Sequence, residues 1–582
     1  MTRPQPQPQS RSATGSRKKR VLIIGAGPVG SLTALSLDKR GWEVEVWEGR
    51  TDPREESSHP QALRSINLAI SARGITALKS VDEGLAEGLV GEAIPMRGRM
   101  IHHKHKHTGI GSKGSKEDGR RKEEVRREAQ AYDPKGGECI NSLPRPLLNL
   151  RLIQALPPSI TLHFSTKLSH ISWSDSTAYA KPSDSDKNAG ESVQPNEDER
   201  DDTNTRNKEA RGKKCQFDLV VGCDGSWSKV RQEMMRVERV DLAQRYIDHD
   251  YVELHMPPKS ESESEREREG KGGKPARKQV GEGEFLMEEN HLHIWPREKF
   301  MLIALPNKDG SFTLTLFCPK DKLAELDRRE KAKVFFEEHF PDALDWAGEE
   351  RLLSDFEKNP RGALVTINVK PSHHLSPASS ASVLLLGDAS HSMVPFYGQG
   401  LNCGLEDVRV FNSLLQKYDV GNEAVEGERD ERLVQALREY SEVRNGDLEA
   451  IVQLAMDNYT EMRSKVVSPT YHIRRVLDSV LSYLMPPTSK RPILQAEKSP
   501  ANSPPKLCKE AFPTPRVSGW SSLYSMVTFR PDVSYKEALR KERAQKEVVA
   551  GLAWALGGTA GVLGTAGLAW GALQAKRYLE RR

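Results

Sequence analysis

The stretch Val21-Leu22-Ile23-Ile24-Gly25-Ala26-Gly27-Pro28-Val29-Gly30 constrains this chain more than any other. Its unbroken apolar run suits a strand buried on both faces of a parallel sheet, and it opens directly into a G-x-G-x-x-G turn. Gly25 permits the tight turn, Gly27 lets backbone approach a pyrophosphate, and Gly30 lets the following helix pack on the strand. That helix, predicted from about Pro28 to Arg40, presents unpaired N–H groups and its positive dipole end to phosphates, and Gly41 stops it. The next strand, Glu43 to Glu48, ends in a carboxylate 18 residues past Gly30, placed to accept hydrogen bonds from a ribose. Strand, turn, helix, strand and acid in this order predict a dinucleotide site. FAD and NAD both satisfy it.

The 582 residues leave ample core for a buried cofactor. Lys+Arg 87 against Asp+Glu 82 gives a net charge of +5, too little over this length to argue for a nucleic-acid partner. Six cysteines without a C-x-x-C pair fit a reducing compartment and argue against a zinc ribbon or disulfide framework. Residues 1–19 lack an apolar signal core and read as a disordered tail.

Polar stretches at about 102–130, 181–214, 257–280, 418–430 and 488–515 read as surface insertions, the last as a linker. In the first, His102, His103, His105 and His107 alternate with Lys104 and Lys106, which would repel a cation. A solvated basic loop is expected there, and no metal site is assigned. The body, 20–487, is expected to combine dinucleotide-binding parts (about 20–100, 140–240 and 355–415), a substrate-domain sheet (about 241–354) and a helical part (about 416–487). A further segment, 516–545, follows the linker. Val548 to Leu573 is an uncharged run of 26 residues ending in a basic cluster, with Trp554 and Trp570 near its ends. As a helix it would measure about 39 Å against a hydrocarbon core of about 30 Å, so residues 546–575 are expected to form a transmembrane anchor.

Two further strand-to-turn junctions select among dinucleotides. Phe217 to Ser228 holds an apolar strand ending in Asp224-Gly225, and Val383 to Ala389 holds another ending in Gly387-Asp388. Together with the glycine turn they resemble the DG and GD motifs of the para-hydroxybenzoate hydroxylase-like flavoprotein monooxygenases. The resemblance implies FAD, bound tightly and non-covalently. Asp388 would bond its ribityl chain, and Asp224 would lie near the pyrophosphate and the approach of the reductant. After Asp388, Pro395 to Asn402 precedes a helix whose positive end would face the pyrimidine side of the flavin, so Leu401 and Asn402 are expected to touch the isoalloxazine.

Seven blocks narrow the resemblance to the kynurenine 3-monooxygenase family: Arg64–Ser71, Pro95–Met100, Leu292–Arg297, Ile303–Asn307, Met393–Gly400, Asn458–Arg463 and Tyr524–Phe529. That family implies hydroxylation of L-kynurenine to 3-hydroxy-L-kynurenine with NADPH and O2, in tryptophan catabolism toward quinolinate and NAD. By resemblance, Arg99, Tyr132, Asn458 and Tyr524 fall on the contacts to the amino-acid substrate. Val29, Glu48, Arg50, Ala69, Arg145, Leu168 and Asp388 fall on those to FAD. Tyr397 and Gln399 are candidates for lining the reaction site, with no acid–base residue nominated, and NADPH is expected to bind transiently across the flavin groove. The family also implies the mitochondrial outer membrane, with the catalytic body facing the cytosol. The fold expected is α/β: a Rossmann-like FAD domain of glutathione-reductase type, a mixed-sheet substrate domain and a C-terminal transmembrane helix. Two alternatives stay open: a flavin hydroxylase of another aromatic acid such as a salicylate, and a non-catalytic escort related to Rab GDP-dissociation inhibitors.

Overall fold

The computed structural model describes residues 16–55, 67–104, 126–133, 137–181, 213–259, 284–464, 469–489 and 517–558. A six-stranded sheet runs in the order His373–Leu375, Ser382–Leu385, Leu219–Gly222, Arg20–Ile24, Glu43–Trp47, Thr161–His163, parallel except at its first, antiparallel pair. Its central strands are almost wholly buried, as continuous apolar runs covered on both faces must be. The three strands that lead into the glycine turn and the two acidic turns lie side by side here. Leu219–Gly222 pairs with Arg20–Ile24 on one side and with Ser382–Leu385 on the other. Their turns, ending in Gly25–Gly30, Asp224-Gly225 and Gly387-Asp388, therefore emerge from the same sheet end, and the strand carrying Glu48 flanks them.

A seven-stranded mixed sheet stands against this layer. Its order is Gly362–Lys370, Asp241–Met256, Phe312–Pro319, Phe300–Pro306, His291–Arg297, Gly98–His102, Arg127–Ala131, antiparallel except where His291–Arg297 meets Gly98–His102. The sheet thus recruits strands from before and after 241–354. The helices Gly400–Lys417, Glu431–Ser464 and Tyr535–Gly558 pack behind the site.

Three expectations are corrected. His102 is not in a loop: it ends a strand, fully buried, with Nδ1 3.2 Å from an Asp342 oxygen and Nε2 3.0 Å from Nδ1 of His293, its ring stacked on Trp295 at 4.0 Å. His105 and His107 lie outside the described residues. Arg17 and Lys18, assigned to the tail, pair with Ala424 and Glu423 of the 418–430 insertion, and Arg17 bonds Asp218 through both terminal nitrogens at 2.7 Å; residues 1–15 lie outside the description.

The transmembrane helix is the third. Among the described residues no helix is long and apolar enough to cross a membrane. The helix Tyr535–Gly558 carries eight charged residues between Lys536 and Glu547, and its buried face, with Tyr535, Ala538, Lys541 and Gln545, packs on the body. Of the uncharged run Val548–Leu573, the described helix includes Val548–Gly558, about 16 Å of its length. The rest of the expected span, including Gly561, Gly567 and Gly571, lies outside the described residues.

Candidate active site

A cavity of about 850 Å3 opens between the two sheets, and most residues singled out from sequence line it. At one end stands the glycine turn. Gly25 takes φ +100°, a left-handed conformation, and a Cβ there would lie 2.5 Å from the Cys223 carbonyl oxygen. Gly30 does not line the cavity; a Cβ on it would come within 1.9 Å of the Gly25 oxygen, so it serves the close packing of helix on turn. Gly27 differs from both. A Cβ there would meet nothing within 4 Å, because the position faces the cavity. The helix Pro28–Asp38 starts beside it with no capping side chain and no acid in its first turn, leaving an electropositive end toward the cavity.

Glu48 closes this limb. Its Oε2 accepts from the Ala26 amide at 2.8 Å, and its Oε1 from the Arg50 amide at 2.9 Å and Nε at 3.0 Å. Burial pushes the carboxyl up, but these donors and the Arg50 charge hold it net below its ordinary value, so it stays an ionised acceptor. Val29, Ala69, Arg145 and Leu168 line the same cavity. Asp388 projects into it: the side chain is solvent-accessible although deep in the body, and that depth pushes its carboxyl up despite the nearby His391 and Arg145 charges.

Asp224 also borders the cavity, but its oxygens are engaged locally. They accept from the Ser228 hydroxyl at 2.6 Å and from the Lys229 and Val230 amides at 2.6 and 3.2 Å, capping the helix Lys229–Met234. Leu401 faces the cavity and Asn402 does not. Asn402 is fully buried, donating to the carbonyls of Ala69 (2.8 Å) and Gly398 (2.7 Å) and accepting from the Ser71 amide (2.8 Å). Its side chain is a strut between two walls and does not line the cavity. These features fit a flavin dinucleotide: an open electropositive turn, an ionised acid one strand over, and a carboxylate reaching in farther along.

The other end is aromatic. Tyr132 and Tyr524 stack at 4.9 Å, and Tyr397 continues the stack 5.9 Å from Tyr524. The Arg99 guanidinium lies 5.0 Å from the Tyr524 ring centre and 5.8 Å from that of Tyr132, a cation over two π faces. Arg99 Nε and the Tyr132 hydroxyl are buried with no hydrogen-bond partner among the described residues. The Tyr132 hydroxyl lies close to Tyr524 and Arg99, and together the guanidinium and hydroxyl offer positive charge and donors to an anionic group. Glu461 comes only within 4.0 Å of the guanidinium. Burial pushes the Tyr397 and Tyr524 phenols up, so both stay protonated. Met301, Ile303, Phe317, Phe396 and Met462 complete an apolar wall.

Two expected site residues point elsewhere. Gln399 is buried outside the cavity, its Oε1 accepting from the Tyr535 hydroxyl at 3.2 Å. Asn458 donates to the Phe396 carbonyl at 2.7 Å and to the Met462 sulfur at 3.2 Å, so it supports the wall from behind.

Sequence reasoning missed the device that fixes the Gly387-Asp388 turn. Asp407 accepts from the Gly387 amide at 2.9 Å and pairs with His391 and, at 2.7 Å, with Arg444. Arg444 reaches Glu406 at 3.0 Å, and Glu406 binds Arg73 at 2.8 Å, all fully buried. His391, Cys403 and Asp407 converge as metal ligands might in another protein, but Arg444 contacts both Asp407 and Cys403 and supplies the positive charge there. The 16-residue spacing from His391 to Asp407 was visible, but only the fold brings them together.

Residues 18–241 and 366–454 match the FAD binding domain family. The chain is 52% identical over 569 residues to the kynurenine 3-monooxygenase of Cryptococcus neoformans var. neoformans serotype D (strain B-3501A), covering 97% of this chain and 99% of that one. It is 37% identical over 529 residues to that of Saccharomyces cerevisiae, covering 90% and 92%. Among solved structures, the tetrameric form of 2-methyl-3-hydroxypyridine-5-carboxylic acid oxygenase superposes with a TM-score of 0.51 at 15% identity, covering 78% of this chain and 95% of that one. That likeness is one of fold.

Proposed function

The chain belongs to the kynurenine 3-monooxygenase family, and from that premise we propose how its cavity carries out the reaction. The enzyme hydroxylates L-kynurenine to 3-hydroxy-L-kynurenine, using FAD, NADPH and O2. FAD, when bound, supplies the activation of O2 at the expense of NADPH. Gly25, Gly27 and the start of the helix Pro28–Asp38 would hold its pyrophosphate, Glu48 its adenosine ribose and Asp388 its ribityl chain.

The protein's own tasks are positioning and exclusion. Arg99, with the Tyr132 hydroxyl, takes the substrate α-carboxylate; a guanidinium with a neutral hydroxyl suits a carboxylate in a dry pocket. Tyr524 and Tyr397 wall the space in which the substrate ring lies. Phe317, Phe396, Met301 and Met462 keep water from the reacting atoms. The substrate's own aromatic amine makes its ring electron-rich, so the chain needs no strong base. The phenol of Tyr397 stays neutral beside the ring, held protonated by burial.

The observation that carries this reading is the unpartnered pair, Arg99 Nε and Tyr132 Oη, at the far end of the cavity that begins at Gly27. Aerobic incubation of the FAD-loaded protein with NADPH and either L-kynurenine or salicylate tests it. Product from salicylate alone would replace kynurenine as the substrate. The family resemblance also supports a place at the cytosolic face of the mitochondrial outer membrane, which subcellular fractionation tests without assigning the contact to any helix.

A further inference from the structure

The glycine turn and its neighbours account for one dinucleotide, and among the described residues no second G-x-G-x-x-G follows a buried strand to serve NADPH. Where the wall reaches the protein surface, an exposed aromatic pair adjoins it. Trp227 follows the Asp224-Gly225 turn and lines the cavity while remaining 59% exposed. Tyr246, 52% exposed, stacks on it from the strand Asp241–Met256, ring centres 6.2 Å apart at 29°. Two large exposed aromatics stacked on one another offer a flat face that a further planar ring can extend. The pairing of that strand shifts register just after Tyr246, an irregularity of the kind that re-aims side chains beside active sites.

Two lysines stand close to the pair. Lys320 holds its ammonium 5.7 Å from the Tyr246 ring centre. Lys229 and Gln232, from the short helix after Trp227, line the cavity beside it; Lys229 pairs with Glu233 at 2.7 Å. Gly225 exposes its backbone at φ +79°, where a Cβ would meet nothing within 4 Å, so a ligand can approach the turn closely. A planar base would stack on the rings, and the phosphates would meet the lysines.

We infer that Trp227 and Tyr246, with Lys229 and Lys320, form the docking platform for NADPH, stacking one of its planar rings at the cavity mouth. This rests on NADPH being the reductant. The platform is continuous with the cavity wall through Trp227 and Lys229, so a dinucleotide docked there has one end at the flavin limb. The surface is small and open, which suits a co-substrate that arrives and leaves in each cycle.

The test is equilibrium titration of the FAD-loaded protein with NADP+, read by calorimetry, beside kynurenine titration of the same samples. Trp227→Ala and Tyr246→Ala should each weaken NADP+ about tenfold, leave kynurenine affinity and FAD content unchanged, and Trp227→Phe should restore most of the loss. Lys320→Ala should weaken NADP+ by a factor that shrinks as salt is raised. Unchanged NADP+ affinity in both aromatic variants overturns the inference, and so does a loss of kynurenine affinity instead. Failure of the wild-type protein to consume NADPH with kynurenine, while binding NADP+ on this platform, would count against the reaction and not against the platform.

Discussion

The Arg99 guanidinium stands 5.0 Å from the ring centre of Tyr524, one residue from the penultimate strand of the seven-stranded sheet and the other from the helix Leu523–Phe529 near the C-terminus. The C-terminal segment therefore completes the substrate end of a cavity whose other end is built around the turn Gly25–Gly30. Arg73 fastens it: fully buried, it donates to the carbonyls of Met526, Val527, Arg530 and Val533 and binds Glu406. What the segment carries into the site is an aromatic face that keeps the guanidinium beside it partly desolvated.

Arg99→Ala should raise the Michaelis constant for kynurenine about ten- to a hundredfold, the loss of a charge-assisted contact of about 1.5–3 kcal/mol. FAD content should not change, since Arg99 lies at the aromatic end. Steady-state kinetics with flavin absorbance checks both, and an unchanged constant removes Arg99 from the substrate site.

Gly27 and Gly30 should respond oppositely to alanine. At Gly27 the added methyl enters open cavity, so the FAD-free protein should keep its thermal stability while FAD affinity falls about tenfold or more. At Gly30 the methyl would sit 1.9 Å from a carbonyl oxygen, so the variant should be destabilised with or without FAD. Thermal unfolding with and without FAD separates the two.

Asn402→Ala should act as the removal of a strut. It breaks three buried hydrogen bonds between Ala69, Ser71 and Gly398, leaving their groups unsatisfied at about 1–3 kcal/mol each. The midpoint of urea unfolding should drop in the FAD-free protein as well as the loaded one. A change confined to the loaded form would restore Asn402 as a direct flavin contact.

Asp407 raises the proton affinity of His391: burial alone would lower the imidazole, but the adjacent carboxylate outweighs it, from an ordinary 6.5 to about 10. A group whose folded value is raised contributes stability that is fully present below its unfolded value and is lost as pH climbs through the folded one. Wild-type stability should therefore fall between about pH 6.5 and 10 by more than that of His391→Gln. Urea unfolding across that range, compared between the two proteins, measures it; parallel curves would show that the pair does not titrate with folding.

Much of the flavin limb was legible because its requirements are local. A turn that must reverse at Gly25 and pack at Gly30 leaves a mark in ten residues, and Glu48 follows at the distance a strand imposes. Rotation about a helix is not local. Nothing in Gly398-Gln399-Gly400-Leu401-Asn402 says which side chain faces the cavity; the start of the helix Gly400–Lys417 turns Leu401 inward and sends Gln399 to Tyr535, 136 residues away. Asn458 was found by position and misread by role for the same reason. His102 resembled its loop neighbours until Asp342 and Trp295, both distant in sequence, enclosed it. At the C-terminus, apolarity alone suggested a membrane span, while the charged first half of the helix Tyr535–Gly558 packs on the body.

The central claim is that one cavity holds the flavin and, at Arg99, the carboxylate of kynurenine. Titrating FAD-loaded protein with L-kynurenine, and with its analogue lacking the α-carboxylate, while recording the flavin absorbance tests it most directly. A saturable change with L-kynurenine, and at least about tenfold weaker binding of the analogue, is the expected result. Equal affinity for the two, or binding that leaves the flavin spectrum untouched, would contradict the account.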